Sequence, residues 1–175
     1  MPTAERFPQG RVARPSRTLF AALLAAAFLQ MAWYYPRLPE RMASHFDVAG
    51  RANGFLPKPA FFILYAGVLA LLSVVFLLTP KLLARLPSGM INLPNRDYWL
   101  APEHRDLALA KVQAFSVGFG NVMLLFLLLV FRDVMRANLL EMPKLSMRIW
   151  AFLVLLAAFS IVWTVRLMRS FRLPP

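Results

Sequence analysis

The stretch VMLLFLLLVF, residues 122–131, has no polar side chain on any face. A helix of a water-soluble bundle shows a polar stripe that repeats about every 3.6 residues. This stretch has no such stripe, and LALLSVVFLL at residues 69–78 is almost as apolar. Such runs predict helices that are surrounded by lipid rather than by water.

Four stretches of the 175-residue chain fit the hydrocarbon core of a bilayer, which needs about 20 apolar helical residues. None contains Asp, Glu, Lys, Arg or His, and they lie at 18–35, 60–79, 114–131 and 149–165. The predicted fold is therefore all-α, an integral membrane bundle of four transmembrane helices with structured loops. Residues 18–175 are expected to form a single domain that follows a basic segment at 1–17.

The charge is strongly basic, with 20 Lys and Arg against 8 Asp and Glu. In a membrane protein such residues meet anionic headgroups and set the topology, so we expect the lipid bilayer, not nucleic acid, as the partner. Lys and Arg are more frequent in the N-terminal segment, the second connection and the C-terminal tail than in the other two connections. The positive-inside rule then predicts that both termini lie in the cytoplasm. The absence of Cys excludes disulfides and thiol chemistry.

The first connection is predicted to face outward as a compact, ordered loop. Its stretch RMASHFDV, residues 41–48, can form a strand. That strand would place four side chains on one face: Met42, Ser44, Phe46 and Val48. In AGRANG, residues 49–54, the step from Asn53 to Gly54 is a strong signal for a tight turn.

His45 and Asp47 raise the question of a metal or acid–base site in this loop. A metal site usually needs three or four ligands, and only Glu40 stands near this pair in sequence. We therefore interpret His45 as a surface residue with a local partner. We predict no metal ligand, no cofactor-binding residue and no catalytic residue.

The second connection contains NLPNRDYWLAP, residues 92–102, which is irregular and amphipathic. Pro102 suits the first turn of a helix, so the third span is predicted to begin near it and to stand partly in the cytoplasm. Glu103, His104 and Asp106 point in different directions on that helix, and we expect them to cap it or to be solvated. The predicted topology places His104 and His45 on opposite sides of the membrane.

Two blocks of the sequence resemble a bacterial membrane family of unknown function. Its outer-loop module also occurs in the immunity protein of the sporulation-delay toxin system. The first block matches at Pro39, His45, Phe46, Asp47, Gly50, Asn53, Gly54, Phe55 and Lys58. Phe55 supplies the aromatic residue of the pattern, but Trp is usual there, and Pro57 stands where a small polar residue is usual. The second matches at Asn92, Pro94, Asn95, Tyr98, Trp99, Pro102 and Arg105. The resemblance implies a small, non-enzymatic integral membrane protein whose outer loop is its distinctive surface.

Three functions are compatible with these features. The favoured one is an interaction protein, an accessory subunit or an immunity or signalling protein, that binds other membrane proteins. Its candidate interaction surfaces are the outer loop at His45, Phe46, Asp47, Gly50, Asn53, Gly54 and Phe55, and the second loop at Asn92, Pro94, Asn95, Arg96, Tyr98 and Trp99. The alternative is a membrane-embedded enzyme or metal-dependent hydrolase that uses His45 and Asp47. A channel or carrier is disfavoured because the spans hold no ionisable group, and no small-molecule substrate is indicated.

Overall fold

The structure, a computed structural model, describes residues 16–173. Most of the predicted basic segment, residues 1–15, and residues 174–175 lie outside the described residues. Four long helices dominate, and each is long and apolar enough to cross a membrane. They are α1 (Arg17–Tyr34), α2 (Lys58–Arg85), α4 (Pro102–Ala137) and α5 (Arg148–Ser170), with the short helix α3 (Arg96–Trp99) between α2 and α4. The four predicted spans are confirmed as helices, and α4 begins at Pro102 as expected.

A small antiparallel sheet departs from the all-α prediction. Between α1 and α2 the chain forms β1 (Arg41–Phe46) and β2 (Ala52–Pro57), which pair as a hairpin. The strand predicted at 41–48 is therefore present but ends at Phe46. Two prolines end the helical conformation here. Pro36, which has no N–H to donate, lies in a turn of 3-10 helix at Tyr35–Arg37, and the backbone of Leu38 is extended because Pro39 follows it.

The position of the tight turn also differs from the prediction. The hairpin turns at residues 47–50, whereas Asn53 and Gly54 lie within β2. Gly50 has a φ of +76°, a conformation that glycine adopts without strain. The chain does not reverse at Asn53 and Gly54, because the Asp47 side chain binds the backbone N–H groups of Ala49 and Arg51 and so fixes the reversal at residues 47–50.

Helices α1, α2 and α4 form the apolar core of the bundle. Its largest fully buried side chains include Tyr65 and Leu69 of α2 and Leu124 of α4. Gly120 of α4 lets the helices approach closely, because a Cβ there would lie 2.8–2.9 Å from Phe76 of α2 and Phe20 of α1. The bundle therefore depends on a small residue at the point where three helices meet.

Helix α5 packs mainly against α4, and none of its residues is fully buried. The two helices approach closely at Gly118, where an added Cβ would lie 2.8 Å from the indole ring of Trp163. The Trp163 indole N–H also donates to the Phe115 carbonyl at 3.3 Å. The helix is therefore an outlying member of the bundle whose apolar side chains mostly face outward.

The connections gather at two opposite ends of the bundle. At the hairpin end, β1 binds Asn138, just after α4, and Gly50 in the turn of the hairpin binds Leu145 of the connection at 139–147. At the Trp99 end, residues 86–101 pack against the start of α4 and against Phe171, just after α5. Because α4 has 36 residues, its ends are about 54 Å apart. The two candidate loops therefore lie at opposite ends, as the four-span topology requires.

We expect Gly120→Ala to lower the thermal stability of the protein in detergent micelles. The new methyl group would overlap Phe76 near its Cβ, which cannot move without the α2 backbone, and overpacking of this kind costs about 1–3 kcal/mol. The matched control is Gly67→Ala in α2, where an added Cβ meets no atom within 4 Å. Equal melting temperatures for the two variants would contradict the three-helix contact at Gly120.

The chain lacks Cys, so single-thiol variants can test the placement of the two ends. In intact spheroplasts a membrane-impermeant maleimide should label Asn53→Cys, and it should label Arg96→Cys only after permeabilisation. Both side chains are exposed in the structure, so access to the thiol is controlled by the bilayer. Labelling of both variants in intact spheroplasts would exclude the four-span topology.

Candidate functional site

The hairpin is fastened to the bundle by the buried side chain of Asn138. The amide oxygen of Asn138 accepts from the Ala43 N–H at 2.7 Å, and its amide nitrogen donates to the Ala43 carbonyl at 3.0 Å. The same nitrogen also donates to the Val134 carbonyl at 2.9 Å, near the end of α4. The side chain thus takes the place of a neighbouring strand on the free edge of β1, and it holds the sheet to α4.

Lys58 forms the second fastening, at the junction of β2 and α2. Its ammonium group is 2.7 Å from a carboxylate oxygen of Glu40 and 3.1 Å from the Leu38 carbonyl. The group also lies 5.1 Å from the ring centroid of Tyr35, and the residue is buried. Because the buried charge has a carboxylate, a carbonyl and an aromatic face as partners, Lys58 is a structural residue that closes the base of the hairpin.

Asp47 shapes the turn of the hairpin. One of its carboxylate oxygens accepts from the backbone N–H of Ala49 at 2.9 Å and from that of Arg51 at 2.8 Å. The backbone of Asp47 adds two more bonds, to Arg51 and Gly50, both at 2.9 Å. This arrangement is an Asx-type turn, which gives Asp47 a conformational role.

His45 and Gly54 form a close cross-strand pair where the ladder of β1 and β2 is irregular. A Cβ on Gly54 would lie 2.9 Å from the Cβ of His45, so only glycine fits opposite this histidine. The His45 side chain is exposed, and its Nδ1 is 3.0 Å from the Ser44 hydroxyl. Within residues 16–173 no group of three or more His, Asp or Glu side chains could hold a metal ion.

The connection between α4 and α5 braces the tip of the hairpin. The Leu145 N–H donates to the Gly50 carbonyl at 2.8 Å, and Lys144 pairs with Arg51 as an isolated antiparallel bridge. A Cβ on Gly50 would lie 2.5 Å from the Leu145 carbonyl oxygen. Gly50 is therefore required by both its φ angle and this approach.

The outer surface of the hairpin end carries exposed apolar side chains. Val48 at the tip is 78% exposed and Met142 of the bracing connection is 81% exposed. Phe55 is also exposed, with the Arg41 guanidinium 5.2 Å from its ring centroid. Phe46, in contrast, packs against the core of the bundle. We call Val48, Phe55 and Met142 with Arg41 the outer surface.

A groove of about 480 Å³ lies next to the outer surface. It runs between the approach to β1, which includes Arg37 and Arg41, and the chain that follows α4, which includes Glu141. The guanidinium of Arg37 stacks on Trp33 at 3.9 Å and donates to the Trp33 carbonyl. The groove is open and of mixed charge, and it shows no convergent set of reactive groups.

The second candidate loop is largely used in packing at the Trp99 end. Trp99 and Asn95 both donate to the Phe171 carbonyl at 2.8 Å, and the ammonium of Lys111 lies 3.7 Å from the Trp99 ring centroid. Asn95 has a φ of 51°, the left-handed conformation that Asn tolerates. These residues anchor the end of α5 to α4.

The remaining residues of the second loop are more peripheral. Tyr98 stacks on His104 at 4.1 Å, and His104 Nδ1 is 3.2 Å from the Tyr98 carbonyl oxygen. Pro94 is half-buried. Asn92 and Arg96 are exposed along an open groove of about 400 Å³. No side chain makes a capping hydrogen bond at the start of α4, but Glu103 lies in its first turn, where a negative charge suits the helix dipole.

Sequence reasoning missed Asn138, Asp133 and Lys111. Asn138 follows an apolar helix, and nothing in its local sequence signals a bond to a strand 95 residues earlier. Asp133 is buried in α4, where one carboxylate oxygen is 4.0 Å from Arg148. A signal for Asp133 was present, since an acidic residue next to an apolar span predicts a specific partner.

Comparison with protein families places a known domain over the hairpin. Residues 22–69 match a domain of unknown function, DUF1648. The match runs from α1 through both strands into α2, and it covers less than half of the chain. Comparisons with curated proteins and with solved structures gave no match. The matched segment therefore contains Arg41, Val48 and Phe55 of the outer surface but not Met142, and it ends before the second loop.

We expect Asn138→Leu to loosen the hairpin without unfolding the bundle. The change keeps a similar volume but leaves the N–H and C=O of Ala43 without partners, which costs about 1–3 kcal/mol for each buried group. Hydrogen exchange at residues 41–46 should become at least about tenfold faster, whereas exchange in α2 should change little. Asn53→Ala is the control, because its side chain is exposed. Unchanged exchange in Asn138→Leu would show that the amide does not fasten the sheet.

Proposed function

We propose that this multi-pass membrane protein is a non-enzymatic interaction protein, an accessory or immunity subunit whose outer surface docks another membrane protein. The proposal places the chain in the bacterial inner membrane, with both termini in the cytoplasm and the hairpin outside. The basic residues next to the spans support this orientation.

One observation carries the proposal: the hairpin is held rigidly from within, and it displays apolar side chains outward. The polar side-chain groups of Asn138, Lys58 and Asp47 form hydrogen bonds with the backbone of the hairpin or of the segment that leads into it. Val48 and Met142 extend away from that support. A rigid surface loses little conformational entropy on binding, which favours a docking role.

The second loop supports a different role. Its aromatic and polar groups bind α4 and Phe171, so it stabilises the bundle at the other end. The proposed partner therefore contacts the hairpin end, and the Trp99 end supplies the rigidity that keeps α5 in place.

The experiment is purification in a gentle detergent from native membranes, followed by mass spectrometry. A partner membrane protein should co-purify with the unmodified chain in a fixed stoichiometry. The double variant Val48→Glu and Met142→Glu should lose it, because two charges would replace the most exposed apolar groups of the outer surface. We expect a reduction in co-purification of at least about tenfold.

The matched control is Met90→Glu, which places the same charge on an exposed methionine at the Trp99 end. This variant should retain the partner. Thermal melting should show that all variants remain folded. Purification of the unmodified chain alone, or equal loss of the partner in both sets of variants, would refute docking at the outer surface.

A further inference from the structure

The two edges of the hairpin differ in their hydrogen bonding. On the free edge of β1, the N–H and C=O of Ala43 bind Asn138 and so point away from β2. Ala43 is opposite Phe55, and in an antiparallel ladder two residues that face each other share the same hydrogen-bonding state. The N–H and C=O of Phe55 therefore point away from β1, toward the outer edge of β2. Among residues 16–173, no other segment forms a backbone hydrogen bond with Phe55.

A third strand begins on this outer edge and then stops. Lys144 pairs with Arg51 in antiparallel fashion, and Leu145 binds the Gly50 carbonyl. Continued pairing toward Phe55 would require the residues before Lys144, but Pro143 has no N–H to donate. The chain bends at Met142 instead. The edge of β2 beyond Ala52 is therefore left open next to a pairing that has already started.

The charges around the open edge favour an acidic occupant. Arg51 and Lys144 face each other across the short bridge, and like charges in this position repel. Arg41 is exposed on the same surface and lies over the Phe55 ring. Of the nearby carboxylates, Glu40 pairs with Lys58 and Asp47 binds the turn, and only Glu141, in the groove with Arg37 and Arg41, adds a further negative charge. A carboxylate from outside would relieve this excess of positive charge.

We propose that an extended acidic segment of a partner protein adds an antiparallel strand to the outer edge of β2, bonding to the backbone of Phe55. Its carboxylates pair with Arg41 and Arg51, and its apolar side chains contact the Phe55 ring. Pro57, which lacks an N–H, limits the added strand to about three residues. This inference rests on the proposed docking function and names the mode of docking.

The first test measures the binding of a fluorescent peptide of alternating valine and glutamate to the full chain in nanodiscs. Phe55→Ala removes the ring and keeps the edge N–H, whereas Phe55→Pro removes both. If strand addition is right, the proline variant should bind about two- to tenfold more weakly than the alanine variant. Equal affinity for the two variants would overturn the backbone bond. Equal binding of a valine–lysine peptide would overturn the acidic preference.

The second test does not depend on the folding of a proline variant. Asn53→Cys places a single thiol on the exposed face of β2 in a chain without other cysteines. Peptides that carry one cysteine at successive positions are then allowed to form a disulfide with it. A paired strand should give yields that alternate along the peptide with a period of two residues, because its side chains alternate between faces. Uniform yields would overturn strand pairing.

The outcomes also separate this inference from the proposed function. If the native partner co-purifies and depends on Val48 and Met142, but the peptide neither binds nor shows the alternating pattern, docking stands and strand addition is wrong. If the native partner does not co-purify and the peptide binds as expected, the edge accepts strands, and docking at the outer surface is wrong.

Discussion

A peptide group that meets hydrocarbon has no water to bind, so its hydrogen bonds must be made within the protein. The four long helices meet this constraint along their length. Where the chain leaves a helix, peptide groups that are buried by the protein must likewise find partners within it, and side chains from elsewhere supply them. Asn138 does so for β1 at the hairpin end, and Arg105 does so at the other end, where it donates to the carbonyls of Ala84 and Leu86. Much of the structure outside the helices follows from this requirement.

The same constraint explains part of the basic composition. Lys58, Arg105 and Lys111 each donate to main-chain carbonyls that lie next to a helix end or a turn. Cations suit these positions because the carbonyl ends of helices carry partial negative charge. The excess of Lys and Arg is therefore partly structural, in addition to any role in setting the orientation of the chain in a membrane.

The four spans could be predicted from the sequence because apolar character on every face is a local property. The hairpin could be predicted only in part. Its first strand and its turn region were visible, but Asp47 rather than Asn53 fixes the reversal, since a carboxylate that accepts two N–H groups outweighs a local turn preference. Asn138 could not be found, because its role depends on a contact across 95 residues. Of the two residues that look most reactive, Asp47 is explained by the turn that it shapes, and His45 is packed closely against Gly54 of the opposite strand.

Helix α5 shows how the two ends of the bundle are linked. It buries no residue along its length, yet both of its ends are bound. At one end Arg148 lies 4.0 Å from the buried Asp133, and only two residues lie between Arg148 and the Leu145 that binds the hairpin. At the other end the Ser170 carbonyl accepts from Lys111, and Phe171 packs edge-on against Trp99. Helix α5 is therefore tied to the rest of the bundle near both of its ends, close to the hairpin at one end and close to the second loop at the other.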